Sequence, residues 1–192
     1  MKRIIVVGSG HLAALERIYM KHLILLGNEV MLYPIQDYFL EYYNKNFYHQ
    51  IKFRIGLSSI YSKLQNDLIT FVDNNKPSHI LVFKGMEILP TTLLKWAAQS
   101  IKLINYNPDN PFIFSGRGSG NRNLTNSISL FDLYVSYDKD IVQQLKLKNV
   151  HSMLIPFGFE LEDLEFDQII ADFLMTNTNS SKPQTTSSPK AA

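Results

Sequence analysis

Apolar residues along this chain follow two patterns, short unbroken runs and longer stretches in which they recur every three or four positions. Residues 3–7, RIIVV, form a continuous run rich in β-branched side chains, as expected of a strand buried on both faces of a parallel sheet. From His11 to Leu26 the pattern changes. Leu12, Leu15, Ile18, Tyr19, His22 and Leu23 fall at helical spacing, and Gly27 stands where a helix C-terminus favours glycine. EVMLYP at 29–34 predicts a second strand stopped by Pro34, completing a β-α-β unit with a right-handed crossover. Between Asp37 and Asn74 the spacing predicts two helices, the first marked by Phe39, Leu40 and Tyr43 and the second by Ile60, Leu64, Leu68 and Phe71. Four more buried strands are predicted at HILVFKG (79–85), KLINYN (102–107), DLYVSY (132–137) and SMLIPFG (152–158). Helices are expected at 91–99, with Pro90 at the start, and from the capping residue Asp138 to Leu147. This alternation predicts one doubly wound α/β domain over residues 1–160, a mostly parallel Rossmann-like sheet with helices on both faces.

Three segments break the alternation. Residues 107–123, NPDNPFIFSGRGSGNRN, are dense in Pro, Gly, Asn and Asp and read as a long loop. Residues 161–175 form a short acidic segment with a helical pattern, and 176–192 a polar, low-complexity tail whose composition predicts disorder.

Composition narrows the function classes. Of the 192 residues 45% are hydrophobic and 19% charged, with twelve Phe and ten Tyr, which suffices for one large core. The net charge of +2 is spread without a long basic block, so no nucleic-acid partner is indicated. There are no cysteines, and the five histidines are scattered, so neither a disulfide nor a metal centre is expected. The apolar run after Arg3 breaks at Gly8, too early for a signal peptide, and no segment is long enough to span a membrane; a cytoplasmic protein is expected.

In doubly wound sheets ligands bind outside the carboxyl ends of the strands, so the candidate residues are those that follow each strand. After the first come Gly8, Ser9 and Gly10, in a GSGHLA segment that fits a loose dinucleotide fingerprint. The acid that should close such a site on the ribose is missing at Leu32-Tyr33-Pro34, and Asp37 lies beyond it. A tight turn needing positive φ and close helix packing is the alternative for these glycines. His11, at the predicted first turn of a helix, is a candidate neutral base or hydrogen-bond partner, or simply a solvent-facing histidine. Lys84, directly after a buried run, must point into the cleft or pair with an acid. Asp109 is a candidate base or acceptor-binding carboxylate in a proline-flanked turn. Arg117 and Arg122, among Gly116, Gly118 and Gly120, are candidate anion ligands, although the segment is not a P-loop.

The sequence from residue 79 on, with HILVFKGMEILPTTLLKW, KLINYNPDNPF and ISLFDLYVSYDKDIVQQLKLKNVHSMLIPFGFE in that order, resembles the CgeB-like (spore-maturation-type) glycosyltransferases. The opening VVGSG and LGNEVMLYP are similar to the start of the same family. The resemblance implies the N-terminal domain of a two-domain GT-B enzyme, which transfers a sugar from a nucleotide-sugar to a hydroxyl acceptor. It implies that Gly8 and Gly10 face the interdomain cleft and that Lys84, Asp109, Asn110 and Pro111 are family-type residues. Asp109 or His11 is then the candidate base, and Lys84 and the glycine turn line the acceptor side. The donor-binding C-terminal half is not found in these residues, so this domain is expected to be inactive alone. No cofactor is expected beyond a nucleotide-sugar donor if a second domain completes the site; the expected partners are a separate nucleotide-sugar-binding chain and a small-molecule or glycan acceptor. Two other readings stay open: a small NAD(P)- or nucleotide-binding Rossmann protein, and a non-catalytic module that docks on a partner.

Overall fold

Ile4, Ile5, Val6 and Val7 have no solvent exposure, and they form the centre of β1 (Arg3–Val7), the second strand of a six-stranded sheet. A computed structural model describes residues 1–55, 58–113 and 120–155. The other strands are β2 (Glu29–Tyr33), β3 (His79–Phe83), β4 (Lys102–Tyr106), β5 (Leu133–Ser136) and β6 (Ser152–Leu154), all paired in parallel in the order β2-β1-β3-β4-β5-β6. Each predicted strand is present: β1 spans its predicted residues, β2 to β5 are one or two residues shorter than their apolar runs, and β6 ends at Leu154. The end of the sixth predicted strand, the acidic segment and the tail, all beyond Ile155, lie outside the described residues.

Strand order fixes where loops converge. The chain leaves β1 toward β2 on one side, and leaves β3 toward β4 on the other, so adjacent β1 and β3, with Val7 opposite Val82, open a crevice between their carboxyl ends. The helices are α1 (Leu15–Leu25), α2 (Ile35–Asn44), α3 (Phe47–Arg54), α4 (Ile60–Asn75), α5 (Pro90–Ala98), α6 (Gly120–Ser127) and α7 (Lys139–Leu147). Two cores follow from the pleat. Ile5, Val7, Ile80, Val82, Leu103 and Tyr134 pack against Leu64, Leu68, Trp96, Leu124 and Leu145 of α4 to α7, while Ile4, Val6, Leu81, Phe83, Ile104 and Tyr106 pack under Tyr19 and Leu23 of α1. Helices thus lie on both faces.

Three predicted boundaries are corrected. α1 begins at Leu15 rather than His11, because residues 8–14 are taken up by a hydrogen-bonded turn. The stretch from Asp37 to Asn74 holds three helices, since Asn46 starts a new one by accepting from the His49 N–H at 3.0 Å. Asn-rich α6 replaces the end of the predicted 107–123 loop and is tied down by Asn123 Nδ2 donating to the Met86 carbonyl and Thr125 Oγ1 to that of Pro111. By contrast Asp138 caps α7 as predicted, accepting from the N–H groups of Asp140 and Ile141.

His79, at the start of β3, is buried, with Nδ1 2.8 Å from Ser78 Oγ; burial, with Lys2 and Lys102 nearby, lowers its pKa to about 4. The unfolded chain takes up this proton near pH 6.5 and the folded one only near pH 4. More protons are bound by the unfolded state in that window, so stability falls as pH drops through it. His79→Phe removes this component: its melting temperature, measured against the parent from pH 7 to pH 4, gains relative ground toward acid. A constant difference would contradict the burial argument.

Candidate functional site

The turn after β1 is held from two sides by carboxylates. Glu16, in the first turn of α1 and only 6% exposed, accepts from the Ser9 N–H at 2.7 Å. Asp37, on α2, accepts from the Gly10 N–H at 3.0 Å and from Ser9 Oγ at 3.2 Å, and Ser9 Oγ in turn accepts from the His11 N–H. Arg17 donates to the Gly10 carbonyl at 3.1 Å. The N–H groups that an anion would need are therefore bound to the chain's own anions, and negative charge already occupies the place of a pyrophosphate.

The glycines are needed for room and not for handedness. Neither Gly8 nor Gly10 is among the residues with positive φ, contrary to the expectation for this turn. A Cβ on Gly8 would collide with the Glu16 carboxylate, and one on Gly10 would stand 2.5 Å from Asp37 Oδ2 and 3.0 Å from the Pro34 Cβ. His11 is exposed and lies before α1, not within its first turn. Its Nδ1 accepts from the Ala13 N–H at 3.2 Å, so a neutral imidazole here carries its proton on Nε2.

Across the crevice Lys84 has φ 60° and the following Gly85 φ 95°. Lys76, Ser100 and Asn149, the other non-glycine residues with positive φ among the described residues, close the C-terminal ends of α4, α5 and α7; Lys84 follows a strand. The left-handed conformation costs a lysine about 1–2 kcal/mol. It is held by the Lys84 N–H donating to the Tyr106 carbonyl and by Asn105 Nδ2 donating to the Lys84 carbonyl, both at 3.0 Å. This backbone sends Nζ to Asp109, 3.0 Å from Oδ2, in a pair that remains substantially exposed. The Asp109 turn is shaped by its neighbours, because Asn107 Oδ1 accepts from the Asp109 N–H and Asn110 Oδ1 from the Phe112 N–H. Asn107 is itself buried and donates to the Tyr134 hydroxyl at 2.9 Å.

The structure thus joins Lys84 to Asp109 and places Gly8, Ser9 and Gly10 on the adjoining strand end, linked by Gln36, whose N–H donates to the Gly8 carbonyl and whose Nε2 reaches the Phe83 carbonyl. Arg122 sits exposed on α6, not in a loop as predicted, and Arg117 lies outside the described residues. Among the described residues no cluster of potential metal ligands forms, and no helix is long and apolar enough to cross a membrane.

Three acids escaped the sequence reading as site residues: Glu16, Asp37 and Glu87. Glu87, on the loop from β3 to α5, is buried, and its Oε2 has no hydrogen-bond partner; desolvation raises its pKa, opposed by its own backbone N–H and by Lys84. Its carbonyl accepts from Gln65 Nε2 at 2.8 Å, while Gln65 Oε1 accepts from the Leu89 N–H and from Thr92 Oγ1, clamping α4 to the start of α5. At the β2 edge of the sheet, a groove of about 500 Å³ between α2 and α4 is lined by Tyr33, Tyr38, Tyr42 and Phe71, with Lys63 and Asp67 beside them; burial, with Asp67 and Tyr38, pushes the Tyr33 phenol up to about 12.

No family model and no curated relative matches the chain. Solved structures do. Arabidopsis thaliana UGT89C1 complexed with UDP-L-rhamnose matches with a TM-score of 0.50 at 16% identity, over 82% of this chain and 53% of that one. The same enzyme complexed with UDP matches with a TM-score of 0.50 at 15% identity, over 93% and 55%. Neisseria meningitidis UDP-GlcNAc 2-epimerase bound to UDP-GlcNAc is similar with a TM-score of 0.49 at 12% identity, over 81% and 46%. The likeness to UGT89C1 shows the fold, a Rossmann-like α/β domain. The chain spans about half the length of these structures.

Gly10→Val forces Asp37 away and strips the Gly10 N–H and Ser9 Oγ of their acceptor. The expected cost is about 1–3 kcal/mol, read from urea denaturation; an unchanged midpoint would show that the turn relaxes freely. Glu87→Gln tests the buried carboxyl. Because the folded-state pKa is raised, the folded protein binds a proton that the unfolded chain has released, and stability declines as pH rises above about 4.5. The Gln variant should therefore gain stability relative to the parent on going from pH 4 to neutrality, in thermal melts across that range.

Proposed function

We propose that this chain is the acceptor-side domain of a glycosyltransferase-like protein of the CgeB-like kind, which presents a hydroxyl acceptor to a nucleotide-sugar held by a second Rossmann-like domain. That second domain belongs either to a longer form of the protein or to a separate chain. The observation that carries the reading is the occupation of the Ser9 and Gly10 N–H groups by Glu16 and Asp37. A turn filled with carboxylates repels a diphosphate, whereas carboxylates and amides are suited to accept from hydroxyl groups. The Rossmann-like fold agrees with this division of labour, and the chain's span of about half of its structural neighbours accommodates it.

In this reading the acceptor oxygen attacks the anomeric carbon, the bond from that carbon to the diphosphate breaks, and the acceptor proton passes to a base. Asp109 is the better candidate. Lys84 holds its carboxylate in place at the mouth of the crevice, while His11 has Nδ1 committed to the Ala13 N–H and offers only Nε2–H. Lys84 orients Asp109, Asn110 shapes its turn, and Arg117 and Arg122 are assigned to the leaving diphosphate. The domain alone does not catalyse transfer, since the reaction needs a closed cleft that neutralises the departing charge.

The test is amide-resolved NMR titration of the chain with methyl glycosides, UDP-glucose and NAD. Methyl glycosides should shift the amides of Gly8 to His11, Lys84 and Asp109, and Asp109→Asn should weaken that binding by about tenfold, the loss of one charge-assisted hydrogen bond. Saturable binding of NAD or UDP-glucose at the Ser9 and Gly10 amides, with none for any glycoside, would replace this reading by a nucleotide-binding one.

A further inference from the structure

The β2-to-β3 crossover carries a surface that neither the fold nor the crevice explains. From Tyr42 to Asn66 the sequence holds no Asp or Glu but contains Lys45, Lys52, Arg54 and Lys63. In its middle lies α3, FYHQIKFR, which is anchored from one side only. Phe53 points inward into a cluster with Phe39, Tyr43 and Tyr61, at ring distances of 5.3, 5.5 and 5.9 Å, and His49 packs edge-on against Tyr42 at 4.2 Å.

The outward side is apolar as well. Phe47 is 68% exposed, Tyr48 74%, Ile51 38% and Ile55 60%. At about 100° per residue these four fall within a sector of roughly 100°, with Arg54 at one margin and Lys52 at the other. Core packing accounts for Phe53 and not for its opposite face. A contiguous apolar strip on a solvent-facing helix marks an interaction surface, whereas single exposed apolar residues do not.

We propose that α3 is an interfacial docking helix that seats the domain on an anionic lipid surface. Phe47, Tyr48, Ile51 and Ile55 enter the boundary between headgroups and acyl chains, while Lys52 and Arg54, with Lys45 beside them, meet the lipid phosphates. Charge selects this occupant. A second copy of the same acid-free helix would bring its own cations against these, and a nucleic acid gains little from aliphatic Ile51 and Ile55 at the centre of the strip. The flanking acids Glu41 on α2 and Asp67 on α4 both line the groove between these two helices. The proposal concerns attachment to a lipid surface and stands independently of the sugar-transfer reading.

The experiment is vesicle co-sedimentation of the full chain with phosphatidylcholine alone and with roughly one-third phosphatidylglycerol added, at low and at physiological salt. Binding is expected to the anionic vesicles and to weaken with salt. Lys52→Gln with Arg54→Gln should lower it roughly tenfold or more, at about 1 kcal/mol per basic residue at the surface. Phe47→Ser with Ile51→Ser should abolish it at both salt concentrations. All four positions are exposed, and unchanged melting temperatures confirm that the variants fold. Equal binding to neutral vesicles, no binding to either, or variants that sediment like the parent would overturn the proposal. So would a concentration-dependent dimer in sedimentation velocity that Phe47→Ser with Ile51→Ser dissolves, which would assign the strip to a second copy.

Discussion

Parallel pairing of strands buried on both faces is the constraint from which the rest of this molecule follows. A strand such as β1 or β3 keeps its backbone groups paired only within the ladder, and each return to the next parallel strand needs a crossover outside it. Every loop that follows a strand therefore emerges at one edge of the sheet, where the ladder ends and its last N–H groups lose their partners. At β1 the unpaired donors are those of Ser9 and Gly10, and the chain answers with Glu16 from the helix after β1 and Asp37 from the helix after β2. At β3 the answer is a left-handed lysine whose carbonyl is held by Asn105 of β4. The candidate site is made of these solutions to one backbone problem, and its charges are set by them.

The same constraint explains what could be read from the sequence. Strands buried on both faces are short continuous apolar runs, and all six were legible, as was Asp138 as a cap. Helix starts were less so. His11 to Ala14 has a helix-compatible composition, but the turn needs those residues to carry the chain round Glu16, so α1 begins four positions later than His11. α6 was invisible because GNRNLTNS has poor helix propensity; it stands on the buried Leu124 and on tertiary hydrogen bonds from Asn123 and Thr125 that no local pattern announces.

The site was legible in its positions and not in its partners. Lys84 and Asp109 were each marked by their place after a strand, and an ion pair with an acid was one of the two readings of Lys84; that the acid is Asp109, twenty-five residues on, depends on β3 and β4 being neighbours. Asp37 was noticed and set aside because it lies beyond Pro34. Pro34 begins α2 instead of carrying the chain away, and its helix turns Asp37 back onto Gly10. Glu16 carried no signal beyond an acid in a first helical turn, where the helix dipole alone would suffice to explain it.

These partners change what the glycine turn can do. A GxG turn is a phosphate cradle because its amides are left without acceptors until the ligand arrives. Here the acceptors are built in, and displacing them would leave two carboxylates in a crevice already asked to receive a diphosphate. Lys84 does not restore the balance, since its ammonium is paired with Asp109. The crevice is therefore poorly matched to a nucleotide and better matched to neutral hydroxyl groups, which gain from carboxylate acceptors without the cost of opposing charge. With Arg17 held by the Gly10 carbonyl, the glycine turn itself offers a diphosphate no unpaired cation among the described residues, and that is the physical ground on which the proposed function seats the donor on a second domain.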